Sequence, residues 1–107
     1  KEAQRLYSSR DFQTSLLLFD CLLETHSSDR EAAAILTNRA AIHMMMKRYA
    51  DAAKDCERAL ELYPNLTKAQ LRLGRSYLKV GQPVHARNVF LQAFHHISSQ
   101  PLSGKSA

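Results

Sequence analysis

Four cationic side chains follow one another at helical spacing in the second half of the chain. They are Lys68, Arg72, Arg75 and Lys79, separated by four, three and four residues. In an α-helix this spacing puts all four on one face. Like charges on one stripe repel each other, and an anion that binds between them relieves the repulsion. Because Lys and Arg both give charge-assisted hydrogen bonds to a carboxylate, the stripe predicts a binding site for an acidic ligand.

The distribution of charge along the chain favours the same interpretation. The net charge of the 107 residues is +5, yet all ten acidic residues lie within residues 1–61, beside nine Lys or Arg. Residues 62–107 contain six Lys or Arg and no carboxylate side chain. This asymmetry indicates an anionic partner for the C-terminal half of the chain, with an ordinary solvated basic face as the alternative.

Other motifs that could carry chemistry are incomplete. His95-His96 has no second pair of ligands at helical spacing, so we predict neither a metal site nor a cofactor. Gly104-Lys105-Ser106 resembles the end of a phosphate-binding loop, but Ser99 stands where the first glycine belongs and no strand precedes it. No Ser/His/Asp or Cys/His set can be assembled on rigid neighbours. The sequence therefore predicts a binding protein and not an enzyme.

Composition limits the compartment and the class of partner. No run approaches the roughly 18 apolar residues of a membrane span, and the N-terminus lacks the layout of a secretory signal. We therefore expect an intracellular protein, in the cytoplasm or alternatively the nucleus, without a membrane partner. Cys21 and Cys56 lie at apolar-face positions, which predicts reduced core thiols. The basic stripe has few interleaved aromatic residues for base stacking, so nucleic acid is the less favoured partner.

The elements that would position these residues are helices. Apolar residues recur at spacings of three and four between clear breakers. Pro64-Asn65 ends one helix, Thr67 is the expected N-cap of the next, and Gly81 ends that one before Pro83 opens the last. The approximate predicted helices are 1–9, 12–26, 30–46, 49–63, 67–80 and 83–97.

A repeat of 34 residues organises these helices into pairs. Aligning the chain with itself at this offset superposes small residues on small ones: Ala40 on Gly74, Ala52 on Ala86 and Ala59 on Ala93. An earlier copy aligns at an offset of 37, which places Ala3 under Ala40. Small side chains at these positions let paired helices approach closely. We predict an all-α fold, an α-solenoid of three helix-turn-helix units over residues 1–98 (approximately 1–29, 30–66 and 67–98), followed by a polar flexible tail, 99–107.

These residues resemble the tetratricopeptide repeat family, whose 34-residue unit has small, aromatic and proline residues at set places. The second unit matches at Ala40, Tyr49, Ala52, Ala59 and Pro64. The third unit matches at Gly74, Tyr77, Gly81, Ala86, Phe90 and Ala93. The resemblance implies a module for binding other proteins, in which the first helix of each unit lines a concave groove.

Within that family, the inner residues resemble the carboxylate-clamp subgroup, which binds the acidic C-terminal tails of heat-shock chaperones. The subgroup has an Asn on the first helix of the second repeat, matched here by Asn38. It has a Lys and an Arg four residues apart on the first helix of the third repeat, matched by Lys68 and Arg72. The resemblance implies a co-chaperone or adapter that binds an extended acidic C-terminal peptide.

The first repeat departs from the subgroup, which has a Lys and an Asn there. By the register of Ala3 on Ala40, Gln4 occupies the position of the Asn. The position of the Lys falls just before residue 1, and Lys1 could serve only if the helix slips by one residue. Beyond the clamp, we expect Arg75 and Lys79 to contact upstream acidic residues of the ligand, and Met45 to offer an adaptable apolar contact.

The alternative function is that of a scaffold in a multiprotein assembly, with no chaperone binding. No further helix follows the last unit, so Val89, Phe90 and Phe94 are expected to stay partly exposed. Solenoids need polar caps at their ends. We therefore expect either a fragment of a longer protein or self-association through the C-terminal helix, with the outer helices as a further contact surface.

Overall fold

The computed structural model of the chain describes residues 9–25 and 28–99. Five helices account for nearly all of this part: α1 (Ser9–Thr25), α2 (Asp29–Met45), α3 (Tyr49–Leu62), α4 (Thr67–Lys79) and α5 (Pro83–Ser99). Each lies within three residues of a predicted helix, and the described residues form no strand, which confirms the all-α prediction. Apart from Ser9, the predicted helix 1–9 lies outside the described residues, as does the tail beyond Ser99.

The helices stack in consecutive pairs. The first pair is α2 with α3, and the second is α4 with α5. Helix α4 also packs against both α2 and α3, while α1 packs against α2. Each element thus contacts its neighbours along the chain, as expected of a solenoid. None of the five described helices is long and apolar enough to cross a membrane.

Small side chains form the core, at the positions that the repeat predicts. All six predicted small residues are buried: Ala40, Ala52, Ala59, Gly74, Ala86 and Ala93. The core has two clusters. The first is centred on Ala40, Ala52, Ala53, Cys56 and Leu73. The second is centred on Ala33, Leu36, Ala59 and Ala69. Because alanine adds only a methyl group, the helix backbones approach closely wherever these residues meet.

Two helices end in the same kind of turn, one repeat apart. After α4, Gly81 has φ +82° and donates its N–H to the carbonyl of Leu78, while Gln82 bonds back to Tyr77. After α2, Lys47 has φ +64° in a turn with the same two hydrogen bonds. This Schellman arrangement satisfies the last carbonyls of a helix and favours glycine at the left-handed position. Gly81 therefore ends α4 as predicted. Lys47 adopts the same left-handed conformation, although this conformation is strained for a residue other than glycine.

Two local predictions are wrong. Leu66, and not Thr67, is the N-cap of α4, and no side chain caps that helix. Thr67 is already the first helical residue, where its hydroxyl cannot act as the cap. The second error concerns the thiols: Cys56 is buried as expected, but Cys21 is exposed. Helix α1 has only its α2-facing side covered by described residues, and Cys21 lies on another side.

The last repeat leaves its outer side partly uncovered, as predicted. Val89 and Phe90 are half-buried, and Val89 packs on the first core cluster. The side chain of Phe94 is 62% exposed. Leu71 and Leu78, which align with Thr37 and Met44 of the preceding repeat, are exposed as well.

Candidate peptide-binding site

Helices α2 and α4 form a narrow groove that brings together two of the predicted site residues. Asn38, in the middle of α2, and Lys68, in the first turn of α4, line the same depression of about 110 Å³. Ala34, Thr37 and Leu66 complete its lining. The side chains of Asn38 and Lys68 are exposed. The Asn38 amide and the Lys68 ammonium can therefore both donate hydrogen bonds to a ligand in this depression.

Arg72, one turn further along α4, contacts a residue that lines this groove. Its Nη1 donates a hydrogen bond to the backbone carbonyl of Thr37 at 2.8 Å. Thr37 also donates its buried hydroxyl to the carbonyl of Ala33 at 2.7 Å. A backbone carbonyl has two lone pairs, so the Thr37 carbonyl can accept from Arg72 while it stays within the helix. Arg72 of α4 therefore contacts α2 at the backbone of Thr37, the residue before Asn38.

The remaining predicted residues do not line this groove or lie outside the described part of the chain. Arg75 is exposed on α4. The Nζ of Lys79 lies 5.8 Å from the centre of the Tyr49 ring, which is a cation–π contact with the first residue of α3. Met45 is 44% exposed, whereas Met44 packs on the core. Gln4 and Lys1 fall outside the described residues, so their roles stay predictions.

Burial raises the pKa of two groups in and around the first core cluster. Burial raises the pKa of the Cys56 thiol to about 12, against the opposing effect of the positive charge on Arg72. Burial also raises the pKa of Tyr77 to about 12, with help from its hydrogen bond to Glu57. The Tyr77 hydroxyl donates to Oε2 of Glu57 and so ties α4 to α3. Both groups remain protonated at neutral pH, and neither is placed as a nucleophile.

A partly buried ion network was not foreseen in the sequence. Arg39 donates from Nε to Oδ2 of Asp55 at 2.9 Å and from Nη2 to Oδ1 at 2.8 Å. Its Nη1 donates to Oδ1 of Asp20 at 2.6 Å. The hydrogen bond to Asp55 is the main reason that the pKa of Arg39 is raised. One guanidinium therefore joins α1, α2 and α3 and fixes α2, the helix that carries Asn38.

His43 borders the same network. Its Nε2 lies 3.6 Å from Oδ2 of Asp55, and its buried Nδ1 has no hydrogen-bond partner among the residues that the structure describes. At the offset of 34 residues His43 aligns with Tyr77, an aromatic residue, and this alignment gives no sign of the polar contact. A signal was present, because Asp55 stands among the core residues Ala53 and Cys56 on α3, and a buried acid requires a cationic partner. Within the described ranges, no three His, Cys, Asp or Glu residues are grouped to hold a metal ion.

Comparison with known proteins agrees with this architecture. The family model of the tetratricopeptide repeat matches residues 33–66, which include most of α2 and all of α3. The Hsp70-Hsp90 organizing protein 2 of Arabidopsis thaliana is 31% identical over a region that covers 71% of the present chain. The Hsp70-Hsp90 organizing protein 1 of Glycine max is 33% identical over 70% of the present chain. The heat shock protein STI1 of Saccharomyces cerevisiae is 23% identical over 87% of the present chain.

The similarity covers only a small part of each relative. The matched region spans 14%, 13% and 15% of the Arabidopsis, soybean and yeast proteins, respectively. What these sequences share with the chain is thus a helical-repeat segment. The family match over α2 and α3, the aligned small residues buried in both helix pairs and these relatives together place the chain in the tetratricopeptide repeat family.

Proposed function

We propose that this chain is a protein-interaction module that binds an extended acidic peptide, by its C-terminal carboxylate, in the groove between α2 and α4. The proposal depends on one observation. Asn38 and Lys68 line the same groove, and the guanidinium of Arg72 is held on the carbonyl of Thr37, which lines that groove too. The module acts by binding and has no catalytic role.

The groups at the groove are suited to a carboxylate. The Lys68 ammonium and the Asn38 amide supply donors to its two oxygens, and the nearby charge of Arg72 adds attraction. We expect an affinity in the micromolar range, which corresponds to roughly −8 kcal/mol. Residues 62–107 contain no carboxylate side chain that could compete as an internal ligand.

The proposed partner is the acidic C-terminal tail of a heat-shock chaperone, which makes the chain part of a co-chaperone or adapter in the cytoplasm. Two of the relatives are named as organizers of Hsp70 and Hsp90, and this favours chaperone tails over other acidic peptides. Arg75 and Met45, which are both exposed, would contact ligand residues upstream of the terminus. Gln4, and Lys1 after a one-residue slip, would complete the clamp from the first repeat.

The second candidate is a scaffold that self-associates through α5. The exposed apolar residues of that helix favour it, and Phe94 is the most exposed of them. Sedimentation velocity across a range of concentrations separates the two functions. If α5 forms the contact, Phe94→Ser abolishes a dimer that the parent forms. A parent that stays monomeric at every concentration excludes this candidate.

The experiment for the peptide hypothesis is competition by a terminal carboxylate. A fluorescent five-residue acidic peptide with a free C-terminus is bound first, and unlabelled peptide is then added as the free acid or as the C-terminal amide. The two competitors differ only in the terminal charge and its acceptor oxygens. We expect the free acid to displace the probe and the amide to fail at the same concentration. Equal displacement by both would refute recognition of the terminus, and no binding of the probe would refute the proposed ligand.

A further inference from the structure

A second concavity lies on the opposite side of α2 from the peptide groove. Its volume is about 410 Å³, and it is lined by residues of α1, α2 and α3. Leu23, Leu36 and Leu62 supply apolar walls around Ala32. Clefts of this size and apolar character are typical of ligand sites. The peptide groove uses Ala34, Thr37 and Asn38 of the same helix, so the two sites do not share a residue.

Ala32 is the residue of α2 whose side chain can be enlarged to test the cavity. It lies within α2 and lines the cavity with its methyl group. A leucine at this position adds three carbon atoms to the lining and takes up part of the space.

The charged groups of the cavity indicate which ligand it suits. Arg39 is already compensated, because it bonds to both Asp20 and Asp55. Arg58 is exposed and makes no ion pair with a carboxylate in the part of the chain that the structure describes. Asp29, in the first turn of α2, adds an acceptor. The cavity thus combines an apolar interior with one available cation and one hydrogen-bond acceptor.

We propose that this cavity is a second recognition site. It binds a peptide residue that has a branched apolar side chain and its own free carboxylate, as a C-terminal residue does. The side chain is buried among Leu23, Leu36 and Leu62. The carboxylate pairs with Arg58, and the amide N–H of the same residue donates to Asp29. This site works independently of the α2–α4 groove, so a partner can contact both sides of α2.

The test uses N-acetyl-L-leucine, which has the side chain, the amide and the carboxylate in one small molecule. It is titrated into the whole chain, and methyl and amide NMR signals are followed. We expect shifts at Leu23, Ala32, Leu36 and Leu62. Ala32→Leu fills the cavity and should abolish these shifts. Arg58→Gln should weaken binding by about threefold, the effect of losing an exposed ion pair. The matched control Arg87→Gln removes an exposed arginine from α5 and should change nothing.

A second ligand tests the role of the ligand carboxylate without any change in the core of the protein. N-acetyl-L-leucinamide lacks the carboxylate, so it should bind the parent as weakly as N-acetyl-L-leucine binds Arg58→Gln, and it should not distinguish the two proteins. This comparison needs no core variant, so it holds even if Ala32→Leu perturbs folding. Shifts that persist unchanged in a folded Ala32→Leu protein would overturn the proposal. So would shifts confined to Asn38 and Lys68, or the absence of any shift up to the solubility limit.

Discussion

Gly74 of α4 lies directly against the ring of Phe90 of α5. A methyl group added to Gly74 would stand 2.6 Å from Cζ and 2.7 Å from Cδ1 of that ring, which is closer than carbon atoms pack. One repeat earlier, the aligned residues are Ala40 and Cys56, both fully buried in one core cluster. At this helix contact the third repeat pairs a glycine with a large aromatic ring, whereas the second repeat pairs an alanine with the smaller side chain of cysteine.

This relationship makes Gly74→Ala destabilising even though alanine is the better helix former. We expect overpacking to cost about 1–3 kcal/mol, against a gain of about 1 kcal/mol from helix propensity. In the Phe90→Cys background, which copies the second repeat, the clash is gone and Gly74→Ala should become stabilising. Urea denaturation of the four proteins of this cycle measures the coupling. An equal loss in both backgrounds would show that the ring of Phe90 does not limit residue 74.

The left-handed conformation of Lys47 predicts a stabilising substitution. Its φ of +64° costs an L-residue about 1–2 kcal/mol, and glycine avoids that cost. Lys47→Gly should therefore raise the free energy of unfolding by about 1 kcal/mol, since Gly81 occupies the same turn one repeat later. Lys47→Ala is the control, because it removes the charge but keeps the strain. If alanine stabilises as much as glycine, the cause is the charge of Lys47 and not its backbone.

The Arg39–Asp55 pair should be costly to break from one side. The side chain of Asp55 is only 8% exposed, and Arg39 supplies two of its hydrogen bonds. Arg39→Met leaves this carboxylate buried without its partner and should cost about 3–5 kcal/mol. Asp55→Asn in the Arg39→Met background removes the uncompensated charge and should recover part of the loss. Thermal unfolding at neutral pH compares both variants with the parent. If Arg39→Met alone is as stable as the parent, the role given to Arg39 is wrong.

The two thiols should differ sharply in reactivity. Cys21 is exposed, whereas burial raises the pKa of Cys56 to about 12. At pH 8, an aromatic disulfide reagent should modify one thiol per folded chain quickly and the second only on unfolding. Cys21→Ser should remove the fast phase. The folded pKa of Cys56 exceeds its unfolded value, so the neutral thiol stabilises the fold fully below about pH 9, and this contribution is lost as the pH rises towards 12. Two equally fast thiols would contradict the burial of Cys56.

The repeat made the packing of small residues predictable, because an offset of 34 residues carries both the helix pairing and the side-chain sizes. Ala52 and Ala86 are both buried for that reason. For the Arg39–Asp55 pair, the position of Asp55 among core residues of α3 signals a buried acid, but the sequence does not show which cation pairs with it, because Arg39 lies on another helix. The left-handed conformation of Lys47 was not predictable either, because a lysine in a sequence does not indicate such a turn, whereas a glycine such as Gly81 does.

The candidate site was predictable as a set of residues but not as a geometry. Spacing placed Lys68 and Arg72 on one face of α4, and the resemblance to the clamp subgroup added Asn38. The hydrogen bond from Arg72 to the carbonyl of Thr37 depends on the distance between two helices, which a sequence does not contain. The cation–π contact of Lys79 with Tyr49 depends on that distance too.

Lys68 provides the most direct test of the proposed peptide site. Its side chain is exposed and lines the groove, so Lys68→Ala removes a ligand contact without removing a core contact, whereas Arg72→Ala would also release Thr37. Lys54→Ala is the matched control, because that lysine is exposed on α3 and does not line the groove. Calorimetric titration with an acidic pentapeptide that has a free C-terminus should show at least about a tenfold loss of affinity for Lys68→Ala and none for Lys54→Ala. Equal affinity of Lys68→Ala and the parent would contradict a carboxylate site between α2 and α4.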